Sequence, residues 1–199
     1  MDSPRRRGPP RRYVVGISGA SGVACGVRLL EKLRGVPGVE THLVLSRNAE
    51  RVLRIEAGPA PRAVRALATR SYDPDDLAAP IASGSFRTAG MVIAPCSIKT
   101  LSAVANCHAA DLLARSADVT LKERRPLVLL VRETPLHVGQ IRQMLLAAEA
   151  GAIVMPLVPA FYARPTSIED IVDQTAGRIL DLLGINDPVY RRWPGGGTE

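Results

Sequence analysis

Short apolar runs alternate with stretches of helical periodicity from residue 13 to residue 184, and this alternation restricts the fold more than any other feature of the chain. The runs at 13–17, 42–45, 91–94, 127–131 and 152–155 are nearly continuous, as strands covered on both faces must be. Helical stretches at 23–33, 49–55, 61–68, 100–104 and 109–121 separate them. A further helix is expected after Thr134, which can cap it, and Pro135, which suits a first turn; Gly151 would stop it in a left-handed conformation. A last helix follows Ser167-Ile168-Glu169-Asp170, which reads as a capping box, and runs to Gly184. The order predicts a three-layer α/β/α domain with a mainly parallel sheet, Rossmann-like or flavodoxin-like. One domain over 13–193 is expected, with a disordered basic tail at 1–12 and a flexible C-terminal tail at 194–199.

Charge narrows the function. The formal net charge is +7, but the first twelve residues hold five arginines and one aspartate, so over half of the excess lies in that tail. The modest remainder points to phosphate groups on small molecules and away from nucleic acid. Residues 1–12 have the character of neither a secretory signal nor a presequence, and no apolar run nears the roughly 20 residues a membrane span needs. Three unpatterned cysteines, Cys25, Cys96 and Cys107, fit a reducing cytoplasm. His42, His108 and His137 lack metal-ligand spacing, so no metal is expected.

Ligands of open α/β sheets bind beyond the carboxyl ends of the strands, so the residues following each apolar run carry the information. After the first run comes Gly16-Ile17-Ser18-Gly19-Ala20-Ser21-Gly22, a turn whose backbone N–H groups and following helix N-terminus can face an anion. Close helix–strand packing is the competing reason for such glycines. The turn lacks G-x-G-x-x-G spacing, and the second run ends in Ser46-Arg47 where an NAD site carries an acid; an NADP 2′-phosphate on Arg47 stays open. After the third run, Ala94-Pro95-Cys96-Ser97-Ile98-Lys99-Thr100 is a second anion-friendly loop or simply a capped helix start. Two such loops at neighbouring strand ends favour a mononucleotide. Arg132-Glu133 closes the fourth run, where a guanidinium can clamp phosphate and a carboxylate can relay protons. Lys122-Glu123-Arg124-Arg125 reads first as a solvated charge run, and Tyr162, Arg164 and Arg178 as surface residues able to supply donors. Cys96 reads as an inert buried thiol, and no G-x-S-x-G elbow is present.

Residues 16–22, Ala82-Ser83-Gly84-Ser85, Ala94-Pro95-Cys96-Ser97, the stretch Leu121-Lys122-Glu123-Arg124-Arg125-Pro126-Leu127-Val128, Arg132-Glu133-Thr134-Pro135 and Pro159-Ala160-Phe161-Tyr162 together resemble the UbiX/Pad1 family of flavin prenyltransferases, formerly called 3-octaprenyl-4-hydroxybenzoate carboxy-lyases. The resemblance spans about 13–193. It implies transfer of a dimethylallyl unit from dimethylallyl monophosphate to reduced FMN, closing a fourth ring through flavin N5 and C6, without a metal. It also implies a homododecamer with sites at subunit contacts, and a UbiD-type decarboxylase as recipient of the prenylated FMN. By the same resemblance Gly19, Ala20, Ser21, Ser46, Ser97, Ile98, Lys99, Thr100 and Arg132 fall on FMN-binding positions, and Lys122, Arg132, Tyr162 and Arg178 on positions that hold the donor phosphate. Ser21, Glu56 and Glu133 match the catalytic polar groups, with Glu133 moving the proton. Two features depart from the pattern: Asn106-Cys107-His108-Ala109-Ala110-Asp111 replaces an Asn-rich turn, and Lys99 stands where relatives vary. A non-catalytic FMN carrier and a flavin-dependent decarboxylase of cysteine peptides are the alternatives on the same fold.

Overall fold

Period-two burial along each strand divides the molecule into two cores. In β1 (Arg11–Ile17) the side chains of Tyr13, Val15 and Ile17 join one apolar cluster and Val14 the other. The same alternation separates Leu43 and Leu45 from Val44 in β2 (Val39–Leu45), and Val128 and Leu130 from Leu127 and Leu129 in β5 (Leu127–Val131). With β3 (Arg70–Tyr72), β4 (Gly90–Cys96) and β6 (Ile153–Pro156) these strands form one parallel sheet in the order β3-β2-β1-β4-β5-β6. The computed structural model describes residues 9–195.

Helices α1 (Val23–Arg34), α2 (Arg47–Ile55), α3 (Pro61–Leu67) and α7 (Ile168–Leu182) bury their apolar stripes in the first core. Helices α4 (Ile98–Ala105), α5 (Leu112–Lys122) and α6 (Val138–Glu149) cover the opposite face. The sheet is thus wound in both directions from its middle, as the alternating sequence predicts.

The structure changes four local expectations. Arg11 and Arg12 open β1, pairing with Val39 and Glu40, so the basic tail expected over 1–12 gives way to strand two residues early. Arg12 is held there by Glu40 at 2.9 Å and lies over the Phe86 ring. The rest of that tail up to residue 8, and residues 196–199 of the C-terminal tail, lie outside the described residues. β3 is an additional strand of three residues on the sheet edge. α6 starts at Val138 with His137 as its cap, and Thr134 does not cap it: His137 Nδ1 accepts the Gly139 N–H while Gln140 Oε1 accepts the His137 N–H. This reciprocal pair satisfies two orphan groups at once. α5 begins after Asp111, whose carboxylate accepts the Ala114 N–H at 2.8 Å, so residues 109–111 are turn.

Candidate active site

The chain builds outward from β1 on one side and from β4 on the other, so the loops leaving these neighbouring strands diverge to opposite faces and open a crevice between them. One buried hydroxyl joins the two loops. Ser18 Oγ donates to the Pro95 carbonyl at 2.8 Å and accepts the Ser97 N–H at 2.7 Å, while its own N–H donates to the same carbonyl at 3.2 Å. Sequence reasoning placed Ser18 inside the glycine turn without giving it this task; a hydroxyl among glycines was the only signal.

Two helices begin at this crevice. Ser97 caps α4 and meets Thr100 Oγ1 at 3.1 Å, and Ser46 caps α2 by accepting the Ala49 N–H at 3.1 Å. Gly19 lies so close to α2 that a Cβ there would stand 2.4 Å from Asn48 Cβ and 3.1 Å from its carbonyl carbon. Glycine is required for the approach of the loop rather than for a positive φ. Gly19, Ser46, Ser97, Lys99 and Thr100 together line a cleft of about 310 Å³, within the range of small-molecule sites. Ile98 packs its partly buried side chain against the second core.

The N-terminus of α1, expected to face an anion, is already occupied. Gly22, at φ 90°, offers no side-chain cap; the Glu56 carboxylate instead accepts the Gly22 N–H at 3.0 and 3.2 Å and the Val23 N–H at 3.3 Å. Glu56 thereby meets the residue that follows Ser21 in the chain. Burial, with Glu56 adding to it, pushes the Cys25 thiol up to about 11, and burial alone raises Cys96 further, which disfavours the nucleophilic thiolate at both.

Arg132 starts directly beside Ser97, since its N–H donates to the Cys96 carbonyl at 3.1 Å. Glu133 follows, exposed, with its carboxylate accepting the Thr134 N–H at 3.0 Å. The glycine turn, Ser46, Glu56, residues 97–100 and Arg132-Glu133 are thus gathered at one edge of the sheet. Lys122 is not. Lys122 ends α5 at the opposite edge, about the length of β5 away, roughly 15 Å. Its ammonium meets Glu123 at 2.6 Å, and Arg125 donates to the carbonyls of Gly84 and Phe86, tying the 83–86 loop to the same turn. The Tyr162 hydroxyl donates to the Arg191 carbonyl at 3.3 Å with its ring edge-on to Trp193, and Arg178 pairs with Asp181 at 2.6 Å. Burial raises the Tyr190 phenol, with Tyr162 reinforcing the shift and Arg178 opposing it, so these two candidates flank one ring. Lys122, Tyr162 and Arg178, like Arg132 and Glu133, are not among the residues lining the cleft.

A doubly wound sheet with two serine-capped helices opening onto one cleft at its switch point defines the class: a mononucleotide-binding α/β protein. The match of residues 1–180 to the Flavoprotein family makes this more specific. Flavin prenyltransferase UbiX of Escherichia coli K12 is 56% identical over 187 residues, covering 93% of this chain and 99% of that one. The mitochondrial flavin prenyltransferase PAD1 of Saccharomyces cerevisiae is 47% identical over 186 residues, covering 94% of this chain and 76% of its own. The crystal structure of AnUbiX (PadA1) in complex with FMN and dimethylallyl pyrophosphate superposes with TM-score 0.91 at 48% identity, covering 94% of this chain and all of the other. A dodecameric FMN-dependent UbiX-like decarboxylase from Escherichia coli O157:H7 gives 0.90 at 46%, covering 92% and 100%. The chain belongs to the UbiX/Pad1 family of flavin prenyltransferases. Among the described residues no helix is long and apolar enough to cross a membrane, and no three His, Cys, Asp or Glu side chains are grouped to hold a metal ion.

Proposed function

We propose that the protein transfers a dimethylallyl group from dimethylallyl monophosphate to reduced FMN. The observation that carries this reading is the seam at Ser18, which brings the β1 and β4 loops together beside Arg132-Glu133 in a chain 56% identical to a flavin prenyltransferase. The donor set fits FMN: the N-terminus of α4 with Ser97 and Thr100, the Ser46 cap and the Lys99 ammonium suit a phosphate, and Arg132 stands next to them. Gly19, Ala20 and Ser21 follow the ring system along the glycine turn, and Ile98 contributes its N–H.

Reduced flavin supplies the electron-rich N5 and C6 positions. Transfer breaks the allylic C–O bond, whose electron pair leaves with the phosphate, and joins the prenyl C1 to N5 as N5 gives up its proton. Ring closure then adds a proton to the prenyl alkene at C2, and C6 bonds the tertiary cation at C3 and loses its hydrogen as a proton. Lys122, Arg132, Tyr162 and Arg178 stabilise the departing phosphate as fixed donors, so their charge acts most strongly where negative charge develops. Since Lys122, Tyr162 and Arg178 do not line the cleft of their own protomer, neighbouring copies in a homododecamer bring them to it. Glu133 takes the proton displaced at ring closure, while Ser21 and Glu56 hold polar contacts near the reacting carbons. A UbiD-type decarboxylase receives the product.

The test is anaerobic incubation with reduced FMN and dimethylallyl monophosphate, followed by mass spectrometry of the flavin. A gain of one C5 unit is the expected result; recovery of unmodified FMN alone would refute transfer and leave a carrier. A parallel arm with the diphosphate decides the donor, with faster turnover of the monophosphate expected.

A further inference from the structure

Arg47 and Asp75 both line the cleft read above as the flavin site. Arg47 is the first residue of α2, directly after the Ser46 cap. Asp75 sits in the loop after β3, which is fastened to α5 by the Leu112 N–H donating to the Pro74 carbonyl at 2.8 Å. The Arg47 guanidinium is ion-paired with Asp75 and lies 3.8 Å from Asp73. These side chains are 72% and 66% exposed, and a pair so open to water contributes little to the fold. Its position matters more than its strength.

Other charges along the cleft are Lys99 and Asp111, and Asp111 is committed to the backbone as the cap of α5. A phosphate seated at Ser97 and Thr100 therefore meets one carboxylate, Asp75, whose partner among the described residues is a guanidinium and not a helix end. Asp75 repels the phosphate, and the guanidinium it holds is the side chain best shaped to receive phosphate through two parallel N–H donors.

We infer that Arg47 is a phosphate ligand of the flavin site held in reserve by Asp75, so that flavin phosphate and Asp75 compete for one guanidinium. The inference rests on the reading of the cleft as an FMN site and deepens it. On binding, Arg47 exchanges Asp75 for the phosphate and closes the phosphate end of the cleft.

The experiment is equilibrium titration of the full-length protein with FMN and, separately, with riboflavin, which has the same ring and no phosphate. Arg47→Gln should weaken FMN about tenfold, as loss of a charge-assisted contact does, and leave riboflavin unchanged. Arg47→Lys should recover part of the loss. Asp75→Asn should tighten FMN several-fold with riboflavin again unchanged, and should have no such effect when Arg47 is already Gln. Equal FMN affinity in Arg47→Gln, parallel losses for FMN and riboflavin, or weaker FMN binding in Asp75→Asn would each overturn the inference. Both residues are exposed at the surface, so the variants are expected to fold, and an unchanged circular dichroism melt confirms it. Wild-type protein is assayed for FMN binding and prenyl transfer beside them. Absence of FMN binding overturns both readings, absence of transfer alone overturns the proposed function, and normal transfer with an indifferent Arg47 overturns only this one.

Discussion

Glu133 is a catalytic candidate because of where the chain puts it, not because of an unusual environment. It is exposed, one position past Arg132, whose backbone N–H donates to the Cys96 carbonyl, and its own carboxylate accepts one backbone N–H. Glu133→Gln keeps the shape and removes the proton acceptor, so kcat should fall by about 10² to 10⁴ while the FMN dissociation constant stays within about twofold. Prenyl-transfer kinetics beside flavin titration would check it. His42 presents the opposite case, a titratable group with no part in the chemistry. It is 2% exposed, Nδ1 lies 2.8 Å from the Tyr72 hydroxyl, and Nε2 is buried without a partner. Burial lowers its pKa below the usual 6.5, with Arg12 and Arg70 assisting and Glu40 opposing. The unfolded chain therefore binds a proton below about pH 6.5 that the native state refuses, and stability falls as pH drops through that range. Urea midpoints between pH 7.5 and 5 should show this decline, and His42→Leu should flatten it.

At the level of elements, the fit of α1 against the sheet depends on Gly26. A Cβ there would stand 2.1 Å from the Ala94 carbonyl oxygen and 2.9 Å from two atoms of Ile17, so a methyl group drives the helix outward. Gly26→Ala should destabilise the protein by about 1–3 kcal/mol despite its better helix propensity, read as a lower urea midpoint at unchanged slope. Helices such as α7 were legible in the chain because capping is local: Ser167 and Asp170 satisfy each other's backbone groups, as their spacing implies. β3 was not legible. Three residues at an edge have no apolar period to display, and Arg70-Ser71-Tyr72 becomes strand only because β2 supplies ladder partners. The cap of α6 was misplaced for a related reason: Thr134 has the preferred side chain, but His137 and Gln140 form a reciprocal pair three residues apart.

Over the whole molecule, α6 exposes Val138, Ile141 and Leu145 on one stripe, at 62%, 52% and 57%. In the homododecamer proposed for this chain, this exposed apolar stripe is the surface expected to meet a second copy. Ile141→Asp should dissociate the assembly by sedimentation velocity. Prenyl transfer should disappear with it, because Lys122, Tyr162 and Arg178 no longer reach a neighbouring cleft. FMN binding should fall far less, since the cleft lined by Ser46, Ser97 and Thr100 lies within one protomer.

The alternation of apolar runs with helical periods was enough to establish a parallel α/β layer fold, because burial on both faces imposes that pattern on each segment separately. Hydroxyls, glycines and the Arg132-Glu133 pair at strand ends likewise pointed to a phosphate-bearing ligand, since the carboxyl edge is where such a sheet binds. Which loops meet was settled only by strand order: β4 lies beside β1, so Ser18 reaches residues 95–97, nearly 80 positions away. The same three-dimensional packing gave the α1 N-terminus to Glu56 and put Lys122 at the far edge. Contacts between distant segments depend on topology and close packing, and neither leaves a local period in the chain.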